Sequence, residues 1–199
     1  SSEPIVLVPE LDQWRDGSNN IIGSDQRGTA FDDELTGTSG FDRIEGKGGN
    51  DLLLGEAASD RSGAGDEIIG GLGNDFIDGM ASGSTQNPWE NDNRSFFKAA
   101  KSRYTIETKT LAEIKTLVAN TSDNLTFHSS LTSSYLDTNY RGSDIFTLVT
   151  DSISLSQGGT GTDILVNIQE LGFNDGPFRP GELVIPESRD GTVVSKFIE

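Results

Sequence analysis

A nine-residue period between Gly28 and Gly79 constrains this chain more than any other feature. With Asp set at the sixth position, the frame reads GTAFDDELT (28–36), GTSGFDRIE (37–45) and GKGGNDLLL (46–54). It slips by six residues around EAASDR, then resumes with RSGAGDEII (61–69) and GGLGNDFID (70–78). All five units carry Asp at position six: Asp33, Asp42, Asp51, Asp66 and Asp75. All five carry a large aliphatic at position eight: Leu35, Ile44, Leu53, Ile68 and Ile77. RDGSNNIIG (15–23) reads as a degenerate opening unit, with Asn20 for the Asp and Ile22 for the aliphatic.

This spacing has a physical reading. Six Gly-rich residues make a tight turn, because glycine reaches positive φ without a steric penalty. The next three form a short strand whose middle side chain points inward. Two units then make one coil of a parallel β-roll, with turns stacking along each of two edges. The slip separates the edges into a column Asp33–Asp51–Asp75 and a column Asp42–Asp66. Glycine turns expose carbonyl oxygens, and each Asp adds a carboxylate beside them. A set of hard oxygen donors suits Ca²⁺ better than a softer ion. Without a cation the stacked carboxylates repel, so metal binding and folding are expected to be one event.

GGLGNDFID and GKGGNDLLL resemble the GGxGxDxUx nonapeptides of the RTX (repeats-in-toxin) family. The resemblance implies a mainly β chain: a right-handed parallel β-roll that binds Ca²⁺, followed here by a strand-rich mixed module with one short helix. It assigns the calcium carboxylates to Asp33, Asp42, Asp51, Asp66 and Asp75. It adds position-one and position-three carbonyls at Gly28 and Ala30, Gly37 and Ser39, Gly46 and Gly48, and Gly70 and Leu72. Phe31 and Ala64 replace the fourth glycine and Arg61 the first, which implies weakened or empty neighbouring sites. RSFFKAAKSRYTIE and GTDILVNIQELGFNDG are similar to segments that follow such repeats in secreted bacterial proteins. The family further implies type I secretion and an extracellular or cell-surface location.

Composition agrees with a cation-dependent fold. The net charge is −17, and compaction brings those carboxylates together unless cations enter with them. Between Gly28 and Gly79 lie 13 of the 24 glycines and 12 acidic residues against three basic ones. Fifteen scattered Lys and Arg residues make no phosphate-binding face, so nucleic acid is excluded as a partner. With no cysteine, disulfides and thiolate metal sites are excluded too. No apolar run is long enough to span a bilayer, and the opening SSEPIVLVPE reads as a cut or processed start with one strand. The organisation is therefore 1–27, an N-terminal strand and opening segment; 28–80, the repeat roll; and 81–199, a linker and a capping or partner-binding module. In the last part TLAEIKTLVAN has helical spacing, while Tyr104-Thr105-Ile106, DIFTLVTDSISLS and DILVNIQELGF read as strands, the last two separated by the turn QGGTGT.

No catalytic constellation stands out. His128 reads as a strand or loop histidine, and Lys47 lacks the frame of a phosphate-binding loop. Asp60 reads as part of an inserted edge loop, with a role as an extra ligand as its alternative. Trp14, Trp89, Tyr135 and Tyr140 read as packing aromatics, with sugar or peptide stacking as their alternative use. The expected function is a non-catalytic calcium-folded module of a secreted protein, structural or adhesive, with a surface glycan or peptide as candidate partner. The alternative is an accessory, polysaccharide-binding part of an extracellular lyase, hydrolase or epimerase.

Overall fold

A computed structural model describes residues 10–56, 65–80, 93–120 and 125–178. The expectations for the IVLV strand, Asp60, Arg61, Ala64 and Trp89 lie outside those residues.

The architecture is mainly β, and the short nonapeptide strands dictate how it is threaded. An antiparallel hairpin opens it, β1 (Glu10–Arg15) against β2 (Ile21–Arg27). The chain then alternates between two sheets. β3 (Glu34–Thr36), β5 (Leu52–Leu54) and β7 (Phe76–Asp78) go to one. β4 (Phe41–Gly48), β6 (Glu67–Leu72) and β8 (Arg94–Phe96) join β2 in the other. All these neighbours pair in parallel, with position eight aligned: Leu35 with Leu53 and then Ile77, Ile44 with Ile68.

After β8 come β9 (Tyr104–Thr110), the helices α1 (Leu111–Ala119) and α2 (Ser133–Asn139), and β10 (Ile145–Asp151). The chain then returns to both sheets. β11 (Thr162–Val166) adds in parallel to β7, and β12 (Glu170–Phe173) adds in parallel to β8. β10 and β9 extend the first of these sheets antiparallel, and β13 (Gly176–Phe178) closes the other antiparallel to β12. The chain is mainly β as expected; the repeat strands pair in parallel with one another, but each sheet as a whole is mixed, parallel within and antiparallel toward the ends. Short turns, which join only antiparallel neighbours, are the physical reason at β1–β2 and β12–β13, whereas β9 and β10 pair antiparallel across the helical segment.

Two apolar layers hold this arrangement. Between the sheets lie the position-eight residues Leu35, Ile44, Leu53, Ile68 and Ile77, continued by Leu165 and Leu171. Outside the β3–β5–β7–β11 face, Leu52, Phe76 and Ile164 are covered by Leu111 and Ile114 of α1 and Leu136 of α2. These three occupy position seven of their units or its register equivalent, so the apolar position seven marks the covered face. On the opposite sheet the aligned position carries Asp25, Arg43, Glu67, Arg94 and Glu170, alternating in sign. Arg43–Glu67 at 3.0 Å and Arg94–Glu170 at 3.3 Å are its ion pairs. Such solvated pairs fix strand register more than they stabilise.

α1 forms where its periodicity predicts and is started by a capping box in which Thr110 and Glu113 bond each other's backbone N–H groups. The expectation of one short helix is corrected by α2, seven residues capped by the Thr132 side chain. DIFTLVTDSISLS is strand only as far as Asp151, followed by a 3-10 turn at Leu155–Gln157. DILVNIQELGF divides between the two sheets, turning at Asn167, where φ is +56°. Among the described residues, no helix is long and apolar enough to cross a membrane.

Candidate calcium sites

Stacked turns bring the repeat carboxylates into two columns. In one, Asp33 N donates to Asp51 Oδ1 at 2.8 Å and Asp51 N to Asp75 Oδ1 at 2.8 Å. In the other, Asp42 N donates to Asp66 Oδ1 at 2.9 Å. Asp51, Asp75 and Asp66 therefore each tie their rung to the previous one through Oδ1. The second oxygen separates the sites. Asp33 Oδ2 accepts from Thr29 N at 2.6 Å and Thr29 Oγ1 at 2.9 Å. Asp42 Oδ2 accepts from Thr38 N at 2.6 Å and Thr38 Oγ1 at 3.2 Å. Lys47 and Gly71 stand at that second position in the later units, and neither carries a hydroxyl to offer. Asp51 Oδ2 and Asp75 Oδ2 are buried and have no hydrogen-bond partner.

The neighbourhood of these oxygens is lined with carbonyls. A Cβ placed on Gly46 would collide with Asp51 Oδ2 and stand 2.6 Å from Gly70 O. The same position on Gly28 faces Asp33 Oδ2 at 2.8 Å and Gly46 O at 2.5 Å. On Gly37 it faces Asp42 Oδ2 at 2.6 Å, together with Gly55 O. Position-one glycine is required because any side chain would fill the oxygen-lined space. Ala30, Gly48 and Leu72 stack at position three, and Leu72 O accepts from Gly49 N at 3.0 Å, using one of its two lone pairs. Ser39 is half-buried in the bend before β4. Among the described residues no group of three or more His, Cys, Asp or Glu side chains gathers to hold a metal. An ion in these turns would draw its ligands from one or two Asp side chains and from backbone carbonyls, as the hard Ca²⁺ accepts and Zn²⁺ does not.

Electrostatics agree. Burial pushes Asp51 and Asp66 each up to about 8, and Asp75 up to about 7. Coulomb repulsion from Asp75 and Asp33 adds to the rise at Asp51, against the hydrogen bond from the Asp33 backbone. Burial also raises Asp42, opposed by its hydrogen bonds from Ser24 and Thr38. A carboxylate so placed needs a proton or a metal ion beside it.

Several participants were not foreseen. The unit 15–23 is out of register. Asn20 closes the β1–β2 turn by donating to Asp16 Oδ2 at 2.9 Å, and Ile22 is 42% exposed. Ser24 and Gln26 align instead with Asp42 and Ile44. Ser24 Oγ donates to Asp42 Oδ1 at 2.6 Å, and Gln26 Nε2 donates to Thr36 O at 2.7 Å, a polar end to the stack. At the other end Asn93 Oδ1 accepts from Asp66 N at 2.9 Å, as an Asp would. Its Nδ2 donates to Gly79 O at 2.6 Å, Met80 O at 3.0 Å and Asn167 O at 3.1 Å. An amide nitrogen thus sits beside the position-one glycine, where the preceding rungs of that column place Asp42 Oδ2 and Asp66 Oδ2.

Trp14, Tyr135, Tyr140 and His128 make internal contacts. Trp14 stacks on Phe41 with ring centroids 5.7 Å apart, and Tyr135 and Tyr140 pack against Phe76. His128 is a buried loop residue whose Nδ1 accepts from Ser130 N at 3.2 Å.

Fold and turns together define a calcium-binding repeat module. Residues 27–61 and 62–82 match the family model of the RTX calcium-binding nonapeptide repeat, in four copies. RTX nonapeptides bind Ca²⁺, and calcium is the cofactor of this block. No curated protein and no solved structure matches the chain.

Proposed function

We propose that this chain is a non-catalytic, calcium-folded module of a secreted or cell-surface bacterial protein, with a structural or adhesive role. In this reading the coils of 28–80 form a right-handed parallel β-roll, preceded by the opening segment 1–27. Residues 81–199 cap it and offer the surface for a glycan or peptide partner. Asp33, Asp42, Asp51, Asp66 and Asp75 are the carboxylate ligands, assisted by the turn carbonyls. Asp51 and Asp75 lead, because their second oxygens are free.

The observation that carries the reading is the pair of buried, unpartnered oxygens Asp51 Oδ2 and Asp75 Oδ2 beside stacked glycine turns. Leaving such groups unsatisfied is costly, and a divalent cation satisfies them. In the calcium-poor cytoplasm the chain stays unfolded, and it folds after type I export into calcium. Far-UV circular dichroism and urea unfolding of the chain, with calcium and with chelator, test this. Chelation is expected to unfold 28–79 or lower the urea midpoint sharply; superimposable spectra and midpoints would refute it.

A further inference from the structure

The stack of turns does not end with the matched repeats. β11 pairs Ile164 with Phe76 and Leu165 with Ile77, and so lays the turn 158–163 on the turn 70–75. That turn and its strand spell GGTGTDILV, with Asp163 at position six and Leu165 at position eight. From position three to position six its contacts repeat those one rung earlier, while position one differs, since a Cβ on Gly158 would meet no neighbour. Gly73 N donates to Thr160 O at 2.8 Å, as Gly49 N does to Leu72 O at 3.0 Å. Thr162 N donates to Asn74 Oδ1 at 2.8 Å, as Asn74 N does to Asn50 Oδ1 at 2.9 Å. Asp75 N donates to Asp163 Oδ1 at 3.0 Å, as Asp51 N does to Asp75 Oδ1 at 2.8 Å. Gly161 has φ +106° where Gly49 has +107°.

Charge then points to a ligand. Asp163 is 3% exposed and Asp75 is fully buried, with Asp75 Oδ2 lacking any partner. The charges acting on Asp163 are those of Asp75, Asp51 and Asp151, all negative. Arg103 directs its guanidinium to Asp151 at 2.5 and 2.7 Å and to Gly158 O at 3.0 Å, at the opening of the turn, and so bonds neither Asp75 nor Asp163. Two stacked, buried carboxylates without a counter-charge are strongly unfavourable.

The geometry points to a further calcium site between the turns 70–75 and 158–163, with Asp75 and Asp163 as its carboxylate ligands and turn carbonyls completing it. It rests on the calcium reading of the block, but lies partly outside the matched residues, which end at 82. Its two carboxylates are 88 residues apart, so an ion there fastens the segment that carries β9, β10 and both helices to the repeats. Calcium would then hold the two parts of the chain together as well as fold the first.

The test uses terbium-exchanged crystals of the full chain, with native mass spectrometry of Asp163→Asn and Asp51→Asn in calcium. An anomalous peak within about 2.6 Å of both the Asp75 and Asp163 carboxylates is expected. Asp163→Asn, which keeps an acceptor for Asp75 N, is expected to carry one ion fewer than the wild type. Peaks in the block with none at Asp163, and an unchanged ion count in Asp163→Asn while Asp51→Asn loses ions, overturn the site and leave the block reading intact. A wild type without bound ions overturns both. Should Asp163→Asn fail to fold, the wild-type anomalous map decides alone.

Discussion

Replacing Asp51 by Asn should change the sign of its effect with calcium. In chelator, the folded chain at pH 7 must keep Asp51 protonated, with a folded value of about 8 against an ordinary 3.8. At 1.36 kcal/mol per pH unit this costs about 4 kcal/mol, and solvent screening at the turn edge reduces it to about 2 kcal/mol. Asn removes that burden and keeps Oδ1 to accept from Asp33 N. Asp51→Asn is therefore expected to be about 2 kcal/mol more stable than wild type in chelator. In calcium the balance reverses. Each site filled to 100 times its Kd stabilises by about 2.7 kcal/mol. Asp51 lies between the turns of Asp33 and Asp75, so its loss silences two sites. Two lost sites, about 5 kcal/mol, outweigh the 2 kcal/mol of relief and leave the variant about 3 kcal/mol less stable. Asp33→Asn is the control, since Thr29 already bonds Asp33 Oδ2 and no relief is available. Urea unfolding of the three proteins in about 10 mM calcium and in chelator reads both signs, taking a Kd of about 10⁻⁴ M. A loss of stability in both conditions, or a sign change in Asp33→Asn as well, would refute the reasoning.

In chelator, acid should stand in for the metal: Asp51, Asp66 and Asp75 titrate at about 7 to 8 when folded against 3.8 when unfolded. The folded state then binds more protons, so stability is full below about 4 and falls as pH rises to about 8; a urea midpoint independent of pH would contradict this. Asn93→Asp should place a carboxylate before the carbonyls of Gly79, Met80 and Asn167. It is expected to weaken the chelated protein and to gain one ion in native mass spectrometry. Phe76→Ala should cost about 3–5 kcal/mol by urea unfolding, because the ring is fully buried between the sheet and Tyr135 and Tyr140.

The repeat block was legible because its chemistry is periodic. Asp at position six and an aliphatic at position eight recur at fixed spacing, and the structure stacks Asp33–Asp51–Asp75 and Asp42–Asp66 as that spacing requires. Position two carries a further signal: Thr29 and Thr38 bond Asp33 and Asp42, whereas Lys47 and Gly71 leave Asp51 and Asp75 open. GGTGTDILV carries the same frame but lies far down the chain, so only the strand pairing reveals Asp163 as the next rung. Ser24 and Asn93 could not be read from pattern, because a serine and an asparagine do an aspartate's hydrogen bonding at the ends of a column. α2 escaped because seven mostly polar residues hold too little periodicity to stand out.

The pairing distances also set an order of assembly. Rungs within the block join residues 18 or 24 apart, whereas the rung that receives Asp163 joins residues 88 apart. Loop closure over the longer span costs roughly 1 kcal/mol more, and β11 can add only to a β7 already in place. Low-contact-order coils therefore zip first from neighbour to neighbour, and the sequence-distant coil closes last. That late closure is the slow phase to look for in refolding, separable from the fast growth of the repeats.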